Sequence, residues 1–293
     1  MKYFLSKHLR KIINNVEHYE NFPVASILLP KELRKAVYTI YKFARNADDI
    51  SDEGEALPYK RLQALNLYSN YLKDITNNNL LISSPKLFID LNYIIKKHNI
   101  SIQYLHDLLK AFKQDIMINS YNNKQQVLNY CKFSANPVGR ILLQIYKCYD
   151  NQNNIYSDAI CTSLQLINFY QDAAIDYKKK RFYISRETLC KYGLSHNSIS
   201  EMIKHKNPKN HTEWKNWQNM MFDEVHFAQR MLLSGLPLCK NLPIKISLEI
   251  KCIIYGANEI CNKLHKNKYE VFNNRPVLKW YNWFTIIYKA LFN

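Results

Sequence analysis

The sequence predicts an all-α protein, on three observations. Only 5 glycines and 9 prolines occur in 293 residues, too few for a turn-rich β fold. Apolar residues recur at helical spacing in one long segment after another. No low-complexity linker interrupts them, so a single helical domain over 1–293 is the simplest organisation. Hydrophobic residues make up 47% of the chain, enough to bury a sizeable core.

In chain order, Pro30 suits a first helical position and Glu32 a first turn. The pattern then runs helically to Asp52, with Val37, Ile40, Ala44 and Ala47 as its apolar stripe and Gly54 as its stop. Leu62, Leu65, Tyr68 and Leu72 predict a helix over 59–75, broken by Asn77-Asn78-Asn79. Helical patterns return at 86–98, 101–118 and 124–149, the last with a kink at Pro137. Residues 150–154 read as a polar loop, and Ser157 as the N-cap of a long helix through Asp176. Short helices follow at 185–193 and 195–204, then longer ones at 212–234, 243–265 and 277–291.

Lys and Arg total 41 against 24 Asp and Glu, a formal charge of +17. Such a balance attracts anions, although scattered, solvated lysines explain much of it. No recognised motif accompanies these basic residues, which argues against a nucleic-acid reader. The 7 cysteines show neither a C-x-x-C pair nor zinc spacing, so they read as buried free thiols of a cytoplasmic protein. Residues 1–20 lack a secretory pattern, and no apolar run is long enough to cross a bilayer.

Two acidic clusters carry the chemistry. Tyr41, Arg45, Asp48 and Asp52 step by four, three and four, so they share one helix face. Asp49 points elsewhere. Gln165, Asn168, Asp172 and Asp176 step by three, four and four, inside a helix otherwise built from residues such as Leu164, Ile167, Phe169 and Ala173. Aspartates one turn apart repel unless a cation sits near them. An aligned polar strip in so apolar a helix is expensive unless something satisfies it. Both clusters suggest carboxylate ledges for Mg²⁺ and a diphosphate; the alternative for each is a solvated helix face. Lys178 to Arg181 reads either as a cationic helix end or as a phosphate contact. Tyr130 through Arg140 reads, from its residues alone, as close helix packing around a proline kink. The aromatic segment from Trp280 to Phe292, flanked by Lys279 and Lys289, reads as a terminal helix packed on the core, with peripheral contact at the inner membrane as the alternative.

Several segments resemble the squalene/phytoene synthase family: Asn21-Phe22-Pro23-Val24-Ala25-Ser26, Phe43 through Glu53, Tyr130 through Arg140, and Gln165 through Tyr183. The run Ser134-Ala135-Asn136-Pro137-Val138-Gly139-Arg140 is most similar to the bacterial hopanoid-pathway branch, the hydroxysqualene synthases, and Tyr269 through Pro276 fits that branch too. The resemblance spans roughly residues 18–280. It implies an all-α isoprenoid synthase (terpenoid synthase) fold: one head-to-head trans-isoprenyl diphosphate synthase domain with a central cavity. It implies that Asp48 and Asp52 face Asp172 and Asp176 across that cavity and, with Asn168 and Gln165, bind Mg²⁺-diphosphate. His18, Tyr41, Arg45, Arg181 and Arg275 would hold phosphates, and Tyr130 matches a tyrosine implicated in proton or cation handling. Gln171 stands where eukaryotic squalene synthases carry arginine, and Ser51 replaces an acid of some relatives.

The implied activity is Mg²⁺-dependent ionisation of presqualene diphosphate, with water capture of the rearranged cation to give hydroxysqualene. Alternatives are squalene or phytoene synthases joining two farnesyl or two geranylgeranyl diphosphates, and degenerate relatives acting as assembly factors. Retention of all four aspartates argues against the last. The implied partners are a prenyl diphosphate substrate and other squalene-pathway enzymes, with no nucleic acid.

Overall fold

The computed structural model describes residues 30–205 and 211–292. Among them every named element is helical; an isolated parallel bridge, Ser120 to Phe182, is the sole β feature recorded. The described chain forms two compact units. One holds the residues up to Ile118, with Lys132–Asp158 and Asn241–Ile246; the other holds Asn119–Cys131, Ala159–Lys240 and the chain from Ser247.

The first unit is built on α1 (Lys31–Asp52), α2 (Pro58–Thr76), α3 (Lys86–His98), α4 (Ile102–Met117) and α6 (Asn136–Ile145); α5 (Lys124–Ser134) precedes α6 in the chain. Helix α1 packs against α2, α3, α4 and α6. Its apolar stripe is the predicted one: Val37, Ile40, Ala44 and Ala47 are buried, joined by Phe43. Phe88 stands at the centre of an aromatic group, edge-on to Phe43 at 6.2 Å and stacked on Tyr71 at 4.3 Å. Fully buried Leu65, Leu72, Leu91, Leu105 and Leu108 complete this core; each contributes about 1.5–3 kcal/mol by leaving water. Gly54 takes φ +78° after α1, the left-handed turn that suits glycine. Arg61 then donates to the carbonyl oxygens of Ile50, Gly54 and Ala56, satisfying acceptors that the end of α1 leaves open.

The kink expected at Pro137 is a full break. Helix α5 ends at Ser134, Ala135 leaves helical geometry, and α6 restarts with Pro137 in its first turn. The expected loop at 150–154 is instead the start of α7 (Asn151–Gln171). Asp150 caps it, its carboxylate accepting from the Asn153 backbone N–H at 2.8 Å and from the Asn153 side chain at 2.7 Å. Ser157 lies inside that helix, not at its cap.

The second unit takes most of α5 and α7, then α8 (Ala173–Lys178), α9 (Arg186–Lys191), α10 (His196–His205), α11 (His211–Ser234), a 3₁₀ turn (Leu236–Asn241), most of α12 (Ile244–Lys266) and α13 (Asn282–Phe292). Trp217 is fully buried and donates its indole N–H to the Tyr269 carbonyl at 3.0 Å. Buried Glu224 on α11 accepts from Tyr170 at 2.7 Å and from Lys124 at 3.0 Å, tying α11 to α7 and α5. The last helix begins five residues later than the 277–291 pattern predicts. Residues 277–281 run unwound, and the side-chain oxygen of Asn282 accepts from the Lys279 N–H.

Candidate functional site

On α1 the acidic cluster forms around Arg45. Its guanidinium lies 2.6 Å from Asp49, 3.3 Å from Glu53 and 3.5 Å from Asp48. Asp49, expected to point elsewhere, is therefore the nearest partner of Arg45. The reason is spacing: 45 and 49 are separated by four residues, one helical turn. Burial raises the Asp49 carboxyl above its ordinary 3.8; Arg45 opposes that rise, and Glu53 and Asp48 add to it. Asp48 is buried, and both carboxylate oxygens of Asp52 are shielded from solvent. Ser51, also buried, spends its hydroxyl on the Asp48 carbonyl at 2.8 Å. Tyr41 is half-buried on the same helix. His18 lies outside the described residues.

The second cluster keeps helical register through a local break. Asp172 leaves helical geometry and separates α7 from α8. Its N–H nevertheless donates to the Asn168 carbonyl at 2.8 Å, and the Asp176 N–H donates to the Asp172 carbonyl at 2.9 Å. Asn168, Asp172 and Asp176 therefore still follow one another turn by turn. Gln165, Asn168 and Asp172 are buried, Asp172 to 1% exposure, while Asp176 is half-buried. The strip is thus no solvated helix face. Arg275 meets Asp172 with both arms of its guanidinium, from Nε to Oδ1 and from Nη2 to Oδ2 at 3.3 Å. Next to it, Gln171 donates to the Pro276 carbonyl. Two adjacent residues of α7–α8 thereby hold two adjacent residues of the 267–281 segment. Lys178, Lys179 and Lys180 are exposed; Arg181 is half-buried and its N–H returns to the Asp176 carbonyl at 2.9 Å.

Tyr130 belongs to a group of four rings. Phe169, one turn before Asp172, stacks on Tyr183 at 3.7 Å; Tyr130 lies 5.6 Å from Tyr183 and 6.1 Å from Phe169; Tyr121 lies 5.8 Å from Tyr130. Backbone bonds bring Tyr121 and Tyr183 together: the Phe182 N–H donates to Asn119, and the Arg186 N–H donates to Tyr121. Sequence reasoning found Tyr130 but not its three companions. Only Phe169, a turn from Asp172, carried a local signal; Tyr121 and Tyr183 meet through pairing of distant segments.

The donors in both clusters are oxygens, and Asp172 is buried against a cation. Among the described residues no three His, Cys, Asp or Glu side chains converge into a protein-only metal cage. Magnesium needs none, since it commonly takes one or two carboxylates and completes its shell with water and phosphate oxygens. The residues present fit that ion.

A family model for squalene/phytoene synthase matches residues 16–282. A hydroxysqualene synthase of Zymomonas mobilis is 36% identical over 175 residues, 58% of this chain and 56% of that protein. Another, from Sinorhizobium fredii, is 32% identical over 177 residues, 60% of this chain and 58% of that protein. The matched stretch spans little more than half the length of these curated relatives. The crystal structure of squalene synthase HpnC from Alicyclobacillus acidocaldarius resembles this chain with a TM-score of 0.75 at 28% identity, over 86% of this chain and 90% of that one. A dehydrosqualene synthase structure has the same TM-score at 18% identity, covering 90% of this chain and 88% of that one; it bears on the fold alone. On the strength of the family match and its all-α isoprenoid-synthase fold, this chain belongs to the squalene/phytoene synthase family.

Proposed function

We propose that the chain is a Mg²⁺-dependent prenyl-diphosphate enzyme that converts presqualene diphosphate to hydroxysqualene. The observation that carries this reading is the buried strip of Gln165, Asn168 and Asp172, continued by Asp176 in unbroken hydrogen-bond register. Support for the substrate comes from relatives that bear the hydroxysqualene synthase name.

In this reading Asp48 and Asp52 hold metal on α1, and Asp172 and Asp176, with Asn168, hold it on α7–α8. Mg²⁺, when bound, supplies positive charge that stabilises the departing diphosphate. Arg45, Arg181 and Arg275, with Gln165, Tyr41 and His18, orient phosphate oxygens. The C–O bond breaks and diphosphate leaves with the electron pair. Rearrangement follows, and one water oxygen bonds to the cation and loses a proton, giving the alcohol. The rings of Tyr121, Tyr130, Phe169 and Tyr183 offer negative faces that favour a nearby cation and an apolar surface that excludes stray water.

The test is incubation of the purified chain with presqualene diphosphate and Mg²⁺, with product chromatography. Hydroxysqualene is the expected product, and chelation should abolish it. Unchanged substrate with a folded enzyme would overturn the proposal. Squalene or phytoene, formed from farnesyl or geranylgeranyl diphosphate, would instead assign the chain to another branch of the family.

A further inference from the structure

Helix α13 and the two residues before it carry apolar side chains on both faces. One face is satisfied: Ile286 and Ala290, one turn apart, are each 2% exposed. The other is open to solvent, with Trp280 at 74%, Phe284 at 68%, Tyr288 at 63% and Leu291 at 57% exposure. Within α13, Phe284, Tyr288 and Leu291 step by four and three, so they form one ridge opposite the buried pair, and Trp280, in the turn before the helix, extends it through its contact with Phe284. Trp280 and Phe284 meet edge to face at 5.8 Å, and Tyr288 and Phe292 lie 4.9 Å apart, so the open face is largely aromatic. The sequence reading of a terminal helix packed on the core therefore accounts for only half of its apolar surface.

Charge indicates what covers the other half. Residues 277–292 contain no Asp or Glu but include Lys279 and Lys289. Lys263 on α12 reaches the start of α13, donating to the Val277 carbonyl and the Asn282 side chain, each at 2.8 Å. Its ammonium also lies 5.8 Å from the Tyr281 ring centroid. Lys279 and Lys266 add their charges at Lys263, with Glu259 the opposing acid. A ridge of Trp, Tyr and Phe bordered by lysines suits the headgroup region of a bilayer, where such rings and cations concentrate. Pairing with a second copy would bring two of these lysine clusters together, which like charges oppose. Eleven residues span only about 16 Å, too short to cross the roughly 30 Å hydrocarbon core, and no helix among the described residues is long and apolar enough to do so.

We propose that α13 with Trp280 and Tyr281 is a docking surface for anionic lipid membranes, lying in the plane of the interface. This requires neither the proposed substrate nor turnover, so the two ideas fail separately. The experiment is flotation of the full chain with vesicles of equal parts phosphatidylglycerol and phosphatidylcholine, beside vesicles of phosphatidylcholine alone. The chain is expected to float with the anionic vesicles, less with the neutral ones, and less as salt rises. Phe284→Glu combined with Leu291→Glu alters only exposed positions and is expected to reduce flotation at least tenfold, with circular dichroism unchanged. Lys279→Glu with Lys289→Glu should remove the preference for anionic lipid. Equal flotation of wild type and the Phe284/Leu291 variant would overturn the proposal. So would an absence of vesicle binding, including the case in which lipid-free sedimentation shows a wild-type dimer that the same variant abolishes.

Discussion

Arg275 closes both arms of its guanidinium on Asp172, a residue 103 positions earlier in the chain and almost completely removed from solvent. An isolated carboxylate at that depth would be strongly destabilising; a forked, charge-assisted contact offsets that cost. The pair joins the most buried carboxylate of the candidate site to the segment leading into α13.

Removal of the guanidinium should therefore destabilise the fold. Arg275→Gln is expected to cost about 3 kcal/mol, the scale for breaking a buried ion pair, seen as a lower unfolding midpoint. Equal stability of variant and wild type would show that the pair carries little energy.

The aspartates should divide into two groups. Asp48→Asn, Asp52→Asn, Asp172→Asn and Asp176→Asn are each expected to lower kcat/KM by about 10²-fold or more, as removal of a charge-stabilising group does, and to weaken Mg²⁺-diphosphate binding in calorimetry. Asp49 is a partly exposed partner of Arg45, so Asp49→Asn should change turnover by less than about fivefold, the scale of an exposed ion pair. A loss at Asp49 as large as that at Asp48 would contradict this division.

Stability should fall on the acid side of neutrality. Burial lowers the pKa values of His98, His106, His196 and His265 below the ordinary 6.5, helped by Lys97 and Lys147, by Lys113 and Lys73, by Arg186, and by His226 respectively. The folded chain then binds fewer protons than the unfolded chain over that interval. The stability this contributes is fully present above 6.5 and is lost as pH falls through the lowered folded values. Denaturant midpoints measured from about pH 8 to pH 5 should decline. His196→Gln, which removes the ring beside Tyr177, should flatten part of that decline. Midpoints that rise toward pH 5 would reverse the assigned sign.

Thiol chemistry should be confined to the surface. Burial pushes the Cys131 and Cys261 thiols up to about 12 and Cys239 to about 11; Cys161 is buried as well, while Cys190 is exposed. Brief iodoacetamide treatment of the native chain should label Cys190 first, Cys148 and Cys252 more slowly, and the four buried cysteines only after unfolding. Early labelling of Cys131 in peptide mass spectra would contradict the packing of α5.

Helices were legible wherever a stripe and a stop signal agreed. The 86–98 pattern coincides with α3, and Gly54 and Gly193 adopt the left-handed turns that follow α1 and α9. Errors occurred where polar residues play a local structural part. Asp150 and Asn153 look like loop residues in a sequence, yet their hydrogen bonds start α7. The stretch before α13 is unwound although Val277 and Leu278 continue the apolar pattern of the helix.

The spacing of chemistry along each helix is a local property of the residues. Aspartates at 48 and 52, and at 172 and 176, lie one turn apart because the α-helix has 3.6 residues per turn, a rule that holds even through the break at Asp172. What each carboxylate meets follows from the packing of distant segments. Arg275 reaching Asp172, Gln171 holding Pro276, Tyr121 joining Tyr183 and Phe169, and the bare aromatic ridge of α13 all depend on contacts between distant segments or on their absence. Periodicity repeats every few residues and can be read locally. A partner some hundred residues away is chosen by the path of the whole chain.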